Sequence, residues 1–306
     1  FFERVQGNPL GTFADWTNYL RLHDLDGDGD LDLVVPSCAG FFGPPTAEAF
    51  LVYRNDGGTF TEVTAQALGA PLTAAIRVVA IGDIDGDGDA DMFAPNAGGG
   101  ADLLFINDGT GAFTEEGASR LPIPSSNSAG ARFGDLDGDG DLDLVVAQGY
   151  AAGDNPLARL YLNDGSGVFT DATAQLPQTG PGEDPDAVDL ADIDRDLDLD
   201  ILINAHAGKS SLWRNNGDGT FVDATDAMAG PAGNNFHYNP SFCDVDGSAH
   251  LDLWLYNICG AFTEQLLINP GAGNFTDNTS AVTGNPGADD NGVMCVDVDD
   301  DGDLDA

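Results

Sequence analysis

The residues best suited to chemistry in this chain are aspartates, and they recur in one pattern. An acidic nonapeptide begins at Asp24 (DLDGDGDLD), Asp83 (DIDGDGDAD), Asp135 (DLDGDGDLD), Asp192 (DIDRDLDLD), Asp244 (DVDGSAHLD) and Asp297 (DVDDDGDLD). Oxygens at positions 1, 3, 5 and 9, with a tight turn at position 6, converge on one hard cation. In the first copy these are Asp24, Asp26, Asp28 and Asp32, and Asp30 offers its carbonyl at position 7. The second copy supplies Asp83, Asp85, Asp87 and Asp91 with Asp89 at position 7, and the third Asp135, Asp137, Asp139 and Asp143 with Asp141. The fourth supplies Asp192, Asp194, Asp196 and Asp200 with Asp198, the fifth Asp244, Asp246, Ser248 and Asp252 with His250, and the sixth Asp297, Asp299, Asp301 and Asp305 with Asp303. Calcium is the expected guest at five to six such sites, because it accepts six to eight flexibly placed oxygens where magnesium demands an octahedron.

An EF-hand is the rival reading, and it fails at position 12. A bidentate Glu belongs there, and the first five copies have Val35, Ala94, Val146, Ile203 and Leu255, which continue a strand. Two copies depart from the pattern. The fourth has Leu197 where the turn expects Gly, a steric cost it is expected to absorb while still binding. The fifth loses a carboxylate at Ser248 and has Ala249 for Gly, which makes it the weakest expected site.

The elements that must hold these loops repeat with them. Intervals of 59, 52, 57, 52 and 53 residues separate the copies, without a helical pattern inside the period. In each unit an apolar run enters the loop and a β-rich run such as Leu142-Asp143-Leu144-Val145-Val146 leaves it. A third run follows (Phe50 to Tyr53, Leu103 to Ile106, Leu160 to Leu162, Leu212-Trp213, Leu266 to Ile268), ending in Asn-Asp-Gly-type turns at Asn55, Asn107, Asn163 and Asn215. A fourth run opens with Phe60, Phe113, Phe169, Phe221 or Phe275, expected to be core, as are Trp213 and Trp254. The fold expected is therefore all-β: a β-propeller of four-stranded antiparallel blades, six or seven in number, with a calcium loop between strands 1 and 2 of each blade.

The loops resemble the FG-GAP/VCBS repeats of integrin α-subunit propellers and their bacterial relatives, over essentially the whole chain. That resemblance implies a calcium-bearing propeller on secreted or surface proteins that bind proteins or glycans. Such blades also occur in lectin-like modules and in some polysaccharide lyases, so the motif specifies fold and metal far better than function.

Composition agrees with that class. The 306 residues carry 52 Asp+Glu against 10 Lys+Arg, a formal charge of -42, and the nonapeptides hold 29 of the acids. Such packing needs a counter-cation, and it excludes nucleic acid and anionic membranes as partners. No apolar run is long enough to span a bilayer. The chain begins Phe1-Phe2 without a signal-like segment, and is expected to act outside or on the surface of a bacterial cell. Cys38, Cys243, Cys259 and Cys295 allow three pairings if all are oxidised, and buried free thiols are the alternative. His23, His206, His237 and His250 form no recognisable catalytic set, and no GxSxG, HExxH or phosphate loop occurs, so no enzymatic activity is expected.

The expected organisation is one propeller domain over residues 1–306: a closing strand and connection at 1–16, blades at 17–70, 71–122, 123–178, 179–232 and 233–286, and the start of another at 287–306. The expected role is an extracellular, calcium-stabilised module for protein binding, adhesion or assembly. A carbohydrate-binding propeller or lyase scaffold is the alternative. A protein or glycan ligand is expected on the face opposite the calcium rim, around Phe41-Phe42, Gly149 to Ala152, Phe236, Tyr238 and Asn257 to Phe262. The segment Phe2-Glu3-Arg4-Val5 resembles a lone fourth strand that would pair in the blade beginning at Gly292. Sharing that strand between molecules would build a homo-oligomer or filament.

Overall fold

The computed structural model describes residues 17, 19–40, 44–122, 127–148, 158–177, 185–205, 210–228, 240–255 and 264–282. The sixth loop (Asp297, Asp299, Asp301, Asp303, Asp305), the strand Phe2 to Val5, His206, His237 and the expected ligand-face residues Phe41-Phe42, Gly149 to Ala152, Phe236, Tyr238 and Asn257 to Phe262 lie outside them.

Five antiparallel sheets follow one another along the chain, as the repeat predicts. The first contains β1 (Arg21–His23), β2 (Asp32–Val35), β3 (Cys38–Ala39), β4 (Thr46–Asp56), β5 (Thr59–Glu62) and β6 (Leu72–Ala74). The second contains β7 (Ala80–Gly82), β8 (Asp91–Ala94), β9 (Leu103–Asn107) and β10 (Phe113–Glu115). The third is β11 (Ser128–Gly134), β12 (Asp143–Gln148), β13 (Ala158–Asn163) and β14 (Phe169–Asp171). The fourth is β15 (Pro185–Ala191), β16 (Asp200–Ala205), β17 (Ser211–Asn215) and β18 (Phe221–Asp223), and the fifth β19 (Ser241–Cys243), β20 (Asp252–Leu255), β21 (Gln265–Ile268) and β22 (Thr276–Asp277). Sheets two to five hold four strands in sequence order. The first departs from four because β4 runs eleven residues, so its outer half also pairs with β3 and β6 while its inner half pairs with β2 and β5.

The second strand of every sheet is buried on both faces. All residues of β2, β8, β12, β16 and β20 are buried, which explains their continuous rather than alternating apolar character. Two compact units divide the chain: Phe1–Phe133 with Asn163–Thr170, and Gly134–Leu162 with Asp171–Ala306. In the first unit, Leu25, Val34 and Val52 of one sheet pack with Ala90, Met92 and Phe113 of the next. In the second, Leu136, Val145 and Leu160 pack with Ile201, Trp213 and Phe221, and Ile193, Leu202 and Leu212 pack with Leu253, Leu267 and Phe275. Trp213 and Trp254 are buried, as expected.

The aromatic series needs one correction. Phe113, Phe169, Phe221 and Phe275 are buried, but Phe60 is only partly so, because it packs on Leu33, Val35 and Tyr53 of its own sheet rather than into a cluster shared between two sheets. Leu22 on the same sheet, and Leu20 and Leu31 just outside its strands, are about half exposed.

A single helical turn follows the fourth strand in each sheet that describes one, such as α1 (Thr64–Ala67) and α2 (Gly117–Arg120). Four of these turns begin with a threonine whose hydroxyl accepts a third-strand N–H: Thr64 from Val52, Thr173 from Leu160, Thr225 from Leu212 and Thr279 from Leu266. The acid two residues earlier accepts the amide of each threonine. Of the cysteines, Cys38 is a free, buried thiol and Cys243 is disulfide-bonded, so the reading in which all four are paired is excluded.

Candidate metal centres

Each of the five described acidic nonapeptides joins the first strand of its sheet to the second, and its carboxylates organise its own backbone. In the first loop Asp24 Oδ1 accepts the amide of Gly27 at 2.9 Å and Oδ2 that of Gly29 at 2.9 Å. Asp26 Oδ1 accepts from Asp28, and Asp28 Oδ1 from Asp30. Positions 4 and 6 both take left-handed backbone, φ +74° at Gly27 and +92° at Gly29. The sequence pattern flagged only position 6; the second requirement was legible as the first Gly of DGDG.

Position 9 is the most enclosed carboxylate. Asp32, Asp91, Asp143, Asp200 and Asp252 are all buried. Asp32 Oδ2 accepts the Leu25 amide at 2.9 Å and Oδ1 that of Asn55 at 2.8 Å, and Asp91, Asp200 and Asp252 repeat the pair with Ile84 and Asn107, Ile193 and Asn215, and Val245 and Asn269. This residue therefore latches the loop to the third strand as well as lining the cluster. Burial pushes Asp91 up to about 6 and Asp200 up to about 7, against the opposing pull of their two amides. Burial also raises Asp32 and Asp252.

Position 7 turns away from the cluster. Asp30 Oδ2 accepts the Gly57 amide of its own sheet's turn at 2.6 Å, and the Asp89 and Asp198 carboxylates lie against Gly109 and Gly217 in the same place. His250 occupies this position in the fifth loop, with Nε2 beside Gly271. The side chain is thus committed to the turn, as the sequence reading of position 7 through its carbonyl requires.

Ligand atoms of Asp24, Asp26 and Asp32 lie within 4.8 Å of one another, as do those of Asp83, Asp85 and Asp91, of Asp135, Asp137 and Asp143, and of Asp244, Asp246 and Asp252. In the fourth loop the trio is Asp192, Asp194 and Asp196. Positions 1, 3 and 9 therefore converge in four loops and positions 1, 3 and 5 in one. Asp28, Asp87, Asp139, Ser248 and Asp200 fall outside these groups. The fifth loop gathers its three aspartates despite Ser248, which accepts the His250 amide as Asp28 accepts that of Asp30.

The donor set fits a hard divalent cation. It is all oxygen, and the carboxylates crowd one another: burial first, then neighbouring carboxylates, raise Asp26, Asp85, Asp137 and Asp194. Asp85 Oδ1 and Asp194 Oδ1 are buried and meet no N–H in hydrogen-bond geometry. A buried acceptor without a donor is costly in itself, and a cation would satisfy it.

Sequence reasoning missed the residues that tie one loop to the next sheet. Asn107 Nδ2 donates to the carbonyls of Leu25 and Ala90, Asn215 to Leu136 and Leu199, and Asn269 to Ile193 and Leu251. Asn163 Nδ2 donates to Ile84. Each amide thus reaches position 2 of the preceding acidic loop. The turn signal had explained Asn107, Asn163 and Asn215 by backbone conformation alone and had not flagged Asn269; their regular place before the turn was the available clue.

The FG-GAP-like repeat model matches residues 24–94, 95–146, 149–203 and 198–255. The chain belongs to the FG-GAP-like repeat family. With five sheets of this kind, its fold is that of four-stranded β-propeller blades. The FG-GAP chain is 30% identical over 154 residues to cartilage acidic protein 1 of Mus musculus, covering 49% of itself and 22% of that protein, so it spans about a fifth of the relative's length. Among solved structures it is similar to the Photorhabdus luminescens Tc holotoxin pore, at 19% identity and a TM-score of 0.36, over 85% of this chain and 12% of that one. It is also similar to BBS1N in complex with ARL6DN, at 12% identity and a TM-score of 0.44, over 87% and 83%.

Proposed function

We propose that this FG-GAP repeat chain is an extracellular, calcium-stabilised propeller that serves as a protein-binding, adhesion or assembly module and carries out no chemistry of its own. The observation that carries the reading is the recurrence of the carboxylate cluster at the same strand junction in all five described sheets. A cation at that junction joins strands one and two, and Asp32 and its counterparts pass the restraint to the third strand. Binding only to the folded chain stabilises it at every occupied site. The Cys243 disulfide supports an oxidising compartment. The proposed ligand, a protein or a glycan, is recognised by the variable loops after the second strands, away from the acidic junctions.

Thermal unfolding with calcium and with excess chelator tests the structural part, and a reversible fall in melting temperature is expected on chelation. An unchanged melt overturns it. Capture of extracellular proteins or arrayed glycans by immobilised, calcium-loaded protein tests the binding part. Steady turnover of a polysaccharide by the purified chain would count against it.

A further inference from the structure

Among the described residues, Arg120 and Arg214 face acidic clusters at the same spot, although they come from different parts of the repeat. Arg120, on α2, places Nη2 3.6 Å from Asp85 Oδ2 and donates Nη1 to the Ser166 carbonyl of the next turn. Arg214, on β17, places Nη1 3.8 Å from Asp194 Oδ2 and donates Nη2 to the Ala272 carbonyl at 2.6 Å. Each guanidinium sits beside the position-3 aspartate of its own loop and beneath a glycine of the following turn: a Cβ built on Gly167 would meet Arg120 Nη1 at 2.5 Å, and one on Gly273 would meet Arg214 Nη2 at 2.8 Å. In the third sheet the place is taken by a neutral group, since a Cβ built on Gly219 would meet the Asp137 Cβ at 3.0 Å and Gln175 Oε1 at 3.1 Å.

We infer that Arg120 and Arg214 set cation affinity: fixed internal cations that weaken divalent-ion binding in the second and fourth loops while offsetting the crowded negative charge around Asp85 and Asp194 when no ion is bound. This rests on the calcium reading above. Two effects of an arginine compete, since it can orient a carboxylate toward a metal or repel the metal by its charge. Separations of 3.6 and 3.8 Å exceed the roughly 2.7–2.9 Å of a charge-assisted hydrogen bond, so orientation is loose. Coulomb repulsion has no such angular requirement and prevails. Arg120 also pairs with Glu116 Oε2 at 2.6 Å, which offsets part of its charge, so Arg214 exerts the larger effect. The cation sites therefore fall into a tighter class, containing the Gln175-flanked third loop, and a weaker class, containing the second and fourth.

Calorimetric titration of the full chain with calcium, after chelation and desalting, tests the division. In Arg214→Met one ion moves from the weaker class to the tighter, its affinity rising about tenfold as expected for a unit charge removed from the neighbourhood of a divalent ion. Arg214→Lys, which keeps the charge, leaves the titration unchanged. Gln175→Arg, which keeps every acidic ligand, moves one ion the other way by about tenfold. In chelator, Arg214→Met melts below the parent, a shift that an effect confined to ion entry would not produce. Weaker binding by Arg214→Met, or no change in both Arg214→Met and Gln175→Arg while the parent binds calcium, overturns the inference alone. A parent that takes up no calcium overturns the calcium reading and the inference with it.

Discussion

The third and fourth loops carry the same five aspartates yet build the turn from different residues. At positions 4 and 6 the third has Gly138 and Gly140, at φ +78° and +96°, whereas the fourth has Arg195 and Leu197, at +65° and +80°. Leu197 is 89% exposed, so packing does not hold it there. What holds it is position 1: Asp192 Oδ2 accepts the Leu197 amide at 3.1 Å, as Asp135 Oδ2 accepts that of Gly140 at 3.2 Å. The other oxygen shows the difference. Asp135 Oδ1 takes the amide of position 4, Gly138, but Asp192 Oδ1 takes that of position 5, Asp196. The fifth loop, with Ala249 at position 6, makes the same shift from Asp244 to Ser248. Carboxylate-to-amide bonds thus set the path of the loop. Glycine lowers its cost, and its loss moves the pattern by one residue; the fourth loop gathers Asp196 rather than Asp200, whereas the fifth, with the same shift, keeps Asp252.

The strongest test of whether both loops are cation sites is removal of the ion. Each site held at about a hundred times its dissociation constant contributes about 2.7 kcal/mol, so chelation is expected to lower the melting temperature by well over ten degrees. Repeating the melt in Asp135→Ala and Asp192→Ala should shrink the calcium-dependent shift by a similar amount in each. A shift reduced only in the first would show that the fourth loop is a turn and nothing more.

Position 9 separates latch from ligand. Asp200→Ala leaves the buried amides of Ile193 and Asn215 without their acceptor and should cost about 2–3 kcal/mol in urea unfolding even in chelator. Asp196→Ala, which removes one exposed carboxylate, should cost far less under those conditions. Equal losses would mean that the two amides find other partners.

Proton uptake gives an effect of intermediate size. Burial holds Asp91 at about 6 and Asp200 at about 7, above an unfolded value of about 3.9, so the folded chelated chain binds these protons more tightly than the unfolded one. Stability without metal should therefore rise as pH falls from about 7.5 to 5, and decline as pH climbs through the folded values. Protons and metal compete for the same oxygens, so saturating calcium should flatten that rise. A chelated melting temperature that falls steadily with acid over this range would contradict it.

The smallest effects concern the turn itself. Arg195→Gly and Leu197→Gly should each stabilise the chain by about 1 kcal/mol, because non-glycine residues in left-handed backbone cost about 1–2 kcal/mol and glycine returns part of that in chain entropy. The same substitution at a loop position of negative φ would destabilise. In the fifth loop Ser248→Ala should change the calcium-dependent melt by less than Asp139→Ala does in the third, since only the latter removes a charge from the neighbourhood of the cluster. Equal changes would place Ser248 among the ligands.

Much of this was legible in the residues. The nonapeptide spacing located all five described loops and the strand runs on either side of them, and the Asn-Gly-type turns located the turn after the third strand in the first four repeats. What it could not show was the second duty of each group. The asparagines before the turns read as left-handed backbone and are also donors to a neighbouring sheet; the position-9 aspartates read as ligands and are also buried latches. Phe60 carries the same local signal as Phe113 and has a different environment, because burial depends on which sheet lies opposite.

Sequence alone determined whatever is closed within a few residues. Asp24 reaches Gly27 and Gly29, and Asp32 reaches Leu25; bonds so short in sequence are implied by residue type and spacing. Tertiary structure decided the rest. The asparagine amides meet carbonyls 76 to 82 residues away, and Arg120 and Arg214 arrive at equivalent places from unrelated positions in the repeat. Stacking one sheet on the next is what creates those places, and a repeating sequence records the sheets but leaves unrecorded which long side chain will reach into the space between them.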